Sequence, residues 1–227
     1  MSAADIAILA MLGGLLGLDT VSFPQAMLSR PIVGGTLAGA VMGLPLQGLL
    51  VGATLELFAV ETLPFGASRY PEWGSASVIG GVLAASGPSM QAGRLSTAVL
   101  ATLVVAWLGS WSMVQLRRLN ARLARDRHEA VARGDRRTVV GLQLAGLGAD
   151  LVRGLLLTAA GLLVFVPLQA AALDTWSGGA VLSRTVVAAT AGAVSLGAVY
   201  KLFHAVPGFA WQFVLGLTAG LAAVSAL

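Results

Sequence analysis

The sequence predicts an all-α, polytopic membrane helix bundle with re-entrant or discontinuous helices, and three observations carry that prediction. Of the 227 residues, 57% are hydrophobic and 11% charged, with a mean hydropathy of +0.86. A soluble domain of this size carries roughly a quarter charged residues. Several apolar runs are interrupted by proline and glycine before they reach the length of a bilayer crossing. Finally, eight of the fourteen basic residues crowd between Arg117 and Arg137.

At about 20 residues per crossing, the chain has room for roughly six to eight spanning or re-entrant segments, organised as one integral domain over residues 1–227. There is no Cys, which excludes disulfides and thiolate chemistry. Asp5 and the lack of a basic cluster before the first apolar run argue against a cleavable signal peptide, so that segment reads as mature protein. The net charge of +4 and pI near 10.6 would suit nucleic acid if the cations were spread over a surface. They form one block between apolar segments instead, the pattern that marks a cytoplasmic loop, so no nucleic-acid partner is expected.

Each element follows in order. The run from Ile6 to Leu18 is short for a crossing and ends at Asp19, ahead of Pro24 and the Arg30–Pro31 step, which predicts a partial or tilted helix and then an irregular turn. Beyond Ile32, Gly35, Gly39 and Gly43 recur at four-residue spacing and permit close helix packing. Pro45 interrupts this run. The next, Leu49 to Val60, contains Glu56, ends at Glu61 and is closed by Pro64, Gly66 and Pro71. Backbone freed at membrane depth is tolerated only inside protein or along a cavity, so residues 44–90 are expected to form a re-entrant core of the kind transporters use for binding. Ser96 to Met113 reads as a plain crossing with Trp107 and Trp111 at the interface. Leu116, Leu119 and Leu123 recur at helical spacing among arginines, which predicts a basic amphipathic cytoplasmic helix over 114–137, with orientation, anionic lipid or docking of cytoplasmic subunits as its roles. Val139 to Leu173 suits a tilted crossing carrying an Asp150–Arg153 ion pair. A loop at 174–179 and two further spans, Val181 to Phe203 and Phe209 to Leu227, complete the chain.

Among residues able to carry chemistry, Glu56 stands out, because a carboxylate in an apolar segment is costly and is usually kept to meet a cation, a proton or a polar ligand. Glu61 lies five residues on and therefore faces another side of a continuous helix, which argues against a catalytic carboxylate pair. Asp19 suits either a polar ligand or a helix cap. His128 has no neighbour at metal-ligand spacing, and no P-loop or Gly-x-Ser-x-Gly motif is present. No catalytic residues, metal or cofactor are expected, and any transport would draw its energy from an ion gradient or from partner proteins.

Ser29 to Ala85 carries a resemblance. The Arg30–Pro31 start, the glycine-spaced helix to Gly43, the Gly52-Ala53-Thr54-Leu55-Glu56 core and the Leu63-Pro64-Phe65-Gly66-Ala67 turn resemble the membrane subunit IIC of the mannose/fructose/sorbose family of the bacterial phosphoenolpyruvate-dependent sugar phosphotransferase system. The resemblance implies a multi-pass sugar permease subunit of the bacterial inner membrane. It implies pairing with a second membrane subunit, IID, in an assembly of several such pairs, and phosphorylation of the incoming hexose or amino sugar by IIB, which is charged by IIA. An elevator-like movement of the re-entrant core is also implied. Mannose-type members often have Asn-Ile-Gly-Ala where this chain has Pro64 to Ala67, and Asp where it has Glu72, so the sugar does not transfer by name. A sugar site needs several hydrogen-bonding side chains and often an aromatic face. Gln47, Glu56, Glu61, Ser68, Arg69, Glu72, Trp73 and Ser75 form such a set in the broken region, with Asp19 beside it. The alternatives are a non-transporting scaffold or regulatory relative with the same fold, and a small ion-coupled transporter acting through Glu56 or Asp19.

Overall fold

The computed structural model describes residues 1–59, 69–87, 89, 91–175, 196 and 207–225. These form an all-helical bundle: α1 (Ala3–Val21), α2 (Pro31–Val41), α3 (Pro45–Ala59), α4 (Trp73–Ala84), α5 (Ala92–Asp126), α6 (His128–Ala132), α7 (Arg136–Asp174) and α8 (Phe209–Ser225). By length and composition α1, α5 and α7 are able to cross a membrane.

Local chemistry sets the boundaries. Ser2 and Asp5 form a reciprocal capping box that starts α1. Pro31 opens α2 at its first position, where a missing N–H costs nothing. Gly43, at φ +77°, makes the turn into α3 with open space around it, so it belongs to the turn and not to the packing stripe. Gly35 and Gly39 pack instead on Gly48 and Gly52 of α3. A Cβ added at Gly48 would stand 2.1 Å from the Gly35 carbonyl oxygen, so α2 and α3 touch backbone to backbone.

The short α4 is buried along its whole length among α1, α2, α3, α5 and α7. A 12-residue helix cannot span a bilayer. Its unpaired ends are tolerable at membrane depth because protein covers them, and Glu72 caps the first turn by accepting the Ser75 N–H at 3.1 Å.

The long helices α5 and α7 run antiparallel. Gln169 donates to the Thr97 hydroxyl at 2.8 Å near one end, and Arg153 donates to the Ser112 hydroxyl at 3.2 Å further along. The basic stretch departs from the expected separate surface helix. Residues from Val114 to Asp126 continue α5 without a break, and α6 and a turn at Gly134 (φ +72°) lead back into α7. No proline or glycine lies between Met113 and Asp126 to stop the helix, so it continues past its apolar part as one rod. Asp135 caps α7 through the Arg137 and Thr138 N–H groups, and the Thr138 hydroxyl bond holds its carboxyl below the usual carboxylate range. The expected span Val181 to Phe203 and most of the 174–179 loop lie outside the described residues.

Candidate functional site

The break between α1 and α2 is built around Asp19. Its side chain is 2% exposed and accepts the N–H groups of Ala26 at 2.7 Å and Ser29 at 2.8 Å. This clamp holds Gln25 and Met27 at φ 60° and 61°, a left-handed conformation that costs non-glycine residues about 1–2 kcal/mol each. Such strain persists only where the surroundings enforce it, and it is frequent at binding sites. Arg30, the next charge along, is paired with Glu56 of α3, and the second Glu56 oxygen accepts the Ile32 N–H at 3.2 Å. Glu56 therefore both neutralises Arg30 and caps the positive end of α2.

Above this break lies a cavity of about 280 Å³ lined by Asp19, Thr20, Val21, Gln25, Met27, Ser29, Arg30, Tyr70, Pro71 and Trp73. A second cavity, of about 390 Å³, lies on the other side of the Tyr70–Trp73 wall and includes Arg69, Phe58, Leu103, Trp107 and Ser110. Tyr70 is fixed between them by Arg117, which donates to its hydroxyl at 2.6 Å and lies 5.2 Å from its ring centroid.

A third feature is a charged cluster inside the bundle. Asp150 is 1% exposed, accepts from Arg153 at 2.9 Å and also accepts the Ser22 hydroxyl. Glu72, also 1% exposed, points into the same region: a Cβ on Gly17 would lie 2.9 Å from Ser75 Oγ, 3.4 Å from Glu72 Oε1 and 3.6 Å from Arg153 Nη2. Glu72 Oε2 and Arg153 Nη2 are buried with no hydrogen-bond partner. Polar atoms in that condition are uncommon and mark spare bonding capacity.

The structure thus sorts the residues expected to form one site. Asp19, Trp73 and Arg30 line the first cavity, and Arg69 the second. Glu56 reaches the first cavity only through Arg30. Glu72 turns away from both cavities into the charged cluster, where Ser75 joins it by donating to the Gly13 carbonyl. Gln47 sits on α3 and lines neither cavity. Glu61 and Ser68 lie outside the described residues. The Asp150–Arg153 pair does form, but within a larger cluster; the presence of two ionisable residues inside an apolar helix was its signal in the sequence. Tyr70 and Gln25 were not anticipated, because neither residue type is unusual in a loop. Among the described residues no cluster of His, Cys, Asp or Glu is placed to hold a metal.

Comparison with known proteins places these features in a family. Residues 1–177 match the family described as PTS system sorbose-specific IIC component. The chain is 34% identical over 83 residues to the fructose permease IIC component of Bacillus subtilis, a stretch covering 37% of this chain and 30% of that protein. It is 31% identical over 90 residues to the mannose-specific EIIC component of Escherichia coli K12, covering 34% of each. The sorbose-specific EIIC component of Lacticaseibacillus casei is 26% identical over 119 residues, 47% of this chain and 43% of that one. The matched stretches thus span 30% to 43% of these relatives' length. Among solved structures, one titled "Structure of membrane protein" superposes with a TM-score of 0.70 at 19% identity, covering 100% of this chain and 96% of that one. The cryo-EM structure of the mannose transporter ManYZ with microcin E492 superposes with a TM-score of 0.64 at 18% identity, covering 100% and 95%. A multi-pass helical membrane bundle with a broken core, matched over residues 1–177, belongs to the sorbose-type IIC family of the sugar phosphotransferase system.

Proposed function

We propose that this chain is the sugar-translocating IIC subunit of a phosphoenolpyruvate-dependent phosphotransferase system in a bacterial inner membrane. In this reading it works with a IID subunit and delivers a hexose or an amino sugar to a IIB subunit, which phosphorylates it. The observation that carries the reading is the cavity at the α1–α2 break. Its volume of about 280 Å³ lies just below the roughly 300–1,000 Å³ range of pockets for drug-sized ligands, a size that suits a single sugar ring. Its wall combines a carboxylate, an amide, hydroxyls and a guanidinium with the faces of Tyr70 and Trp73, the mixture that polyol recognition requires. Arg30 is held for this task by Glu56, and Asp19 retains lone pairs after accepting its two N–H groups.

The test is uptake of labelled hexoses and amino sugars into vesicles holding this chain with and without IID, with phosphorylated IIB supplied. Uptake should require both partners. Arg30→Gln should lower it about ten- to a hundredfold, the loss of one hydrogen bond to a charged group. An intact complex that takes up none of these sugars would favour the non-transporting scaffold.

A further inference from the structure

The α5–α7 hairpin carries more positive charge than it neutralises. Between Arg117 and Arg137, eight arginines stand against Asp126, Glu129 and Asp135. Among the described residues, the ion pair in this stretch joins Arg133 to Glu129 at 3.8 Å, both widely exposed. Arg122, Arg125, Arg127, Arg136 and Arg137 are all exposed.

In the same hairpin a groove of about 610 Å³ runs between the end of α1, the outer part of α5 and the outer part of α7. Its floor is mainly aliphatic and aromatic, from Phe23, Leu123, Val140, Leu144 and Leu147. Phe23 is 68% exposed and Leu144 64%, which water would penalise and lipid would not. Exposed apolar positions recur along the whole of α7 on more than one face, from Val140 and Leu144 through Val152, Leu156 and Leu163 to Leu168. That length of helix measures about 42 Å at 1.5 Å per residue. The hydrocarbon layer is only about 30 Å thick. The excess length and the arginines beyond Val140 together put the end bearing the groove at the headgroup layer.

Position decides which cations crown the groove. Arg127 is the C-cap residue that ends α5, four residues after Leu123, and Arg136 and Arg137 open α7 four and three residues before Val140, so all three stand at the end of the stripes that line it. An apolar trough ending in three guanidinium groups matches a phosphate joined to acyl chains, since guanidinium meets phosphate through paired N–H donors.

We propose that this groove binds one anionic phospholipid of the cytoplasmic leaflet, with its phosphate held by Arg127, Arg136 and Arg137 and an acyl chain lying along Phe23, Leu123 and Leu144. This does not depend on the transport reading.

The experiment is native mass spectrometry of the full chain, with any membrane subunit that co-purifies, during titration with phosphatidylglycerol or with phosphatidylcholine of the same acyl chains. The wild type should retain the anionic lipid on the order of a hundredfold more tightly, at about fivefold per arginine. The triple variant Arg127→Gln/Arg136→Gln/Arg137→Gln should lose that preference, and so should Leu144→Glu with every arginine in place. Arg118→Gln/Arg122→Gln/Arg125→Gln, which removes equal charge from other faces of α5, should keep it. Equal retention of both lipids by the wild type, or equal losses in both triple variants, overturns the site in favour of diffuse attraction or a groove closed by a partner subunit. Complete displacement of the lipid by glycerol phosphate overturns it in favour of a free-phosphate site.

Discussion

Two charged regions of this protein sit within one bundle and differ in how far they are satisfied. At the α1–α2 break, Asp19 and Glu56 each engage both oxygens: Asp19 with two backbone N–H groups, Glu56 with Arg30 and the Ile32 N–H. In the cluster at the α1–α4–α5–α7 meeting, Arg153 pairs with Asp150 and Ser112, while Glu72 Oε2 and Arg153 Nη2 remain buried without partners. The first region is also partly open, with Arg30 and Glu56 side chains 29% and 22% exposed, whereas Asp150 and Glu72 are 1% exposed. The contrast teaches that a carboxylate in an apolar stretch is not a ligand site by virtue of its position. What matters is whether the fold leaves it lone pairs to offer, and how much water remains to soften its loss.

The largest expected effect tests the buried side. Arg153→Gln leaves Asp150 and Glu72 facing each other's field without their cation, and unfolding of the purified protein should show a loss of about 3–5 kcal/mol. The double variant Asp150→Asn/Arg153→Gln should recover some of it. A single variant as stable as the wild type would show that the cluster is hydrated and that the contrast is false.

Gly17→Ala should come next. The new methyl would stand 2.9 Å from Ser75 Oγ and close to Glu72 and Arg153, for an overpacking cost of about 1–3 kcal/mol in the same unfolding measurement. A stabilised variant would mean that the cluster has room to spread. Glu72→Gln should change stability by no more than about 1 kcal/mol, because the amide oxygen can still accept the Ser75 N–H while a poorly satisfied buried charge disappears.

The smallest effect belongs to the open side. Glu56→Gln breaks an ion pair that water can partly replace, and should cost about 1 kcal/mol or less, read from the unfolding midpoint. Its sharper readout is transport. With Arg30 released from its partner, sugar uptake should fall while the fold persists; unchanged uptake would separate Arg30 from the cavity's work.

Much of the architecture was legible in the residues. Pro31 and Pro45 mark the starts of α2 and α3 because ring geometry acts within a turn of where it stands. Glu56 was legible as an ionisable residue in an apolar run, but its partnership with Arg30 was not, since 26 positions separate them. Gly39 and Gly43 looked equivalent at four-residue spacing. The first packs on Gly48 and the second turns the chain, a difference that depends on where α3 lies. The continuity of α5 into the basic stretch was missed because amphipathic spacing describes a surface helix and the outer end of a rod equally well.

By itself, the sequence determined the solvent and the helix starts at Pro31 and Pro45, because hydropathy and backbone freedom are properties of a residue and its near neighbours. Only the tertiary structure decided that Asp19 and Glu56 are each hydrogen-bonded through both oxygens while Glu72 leaves one without a partner, and that Tyr70 and Trp73 form a wall between neighbouring cavities. A hydrogen bond is made or withheld over about 3 Å, and the groups that arrive at that distance come from helices far apart in the chain.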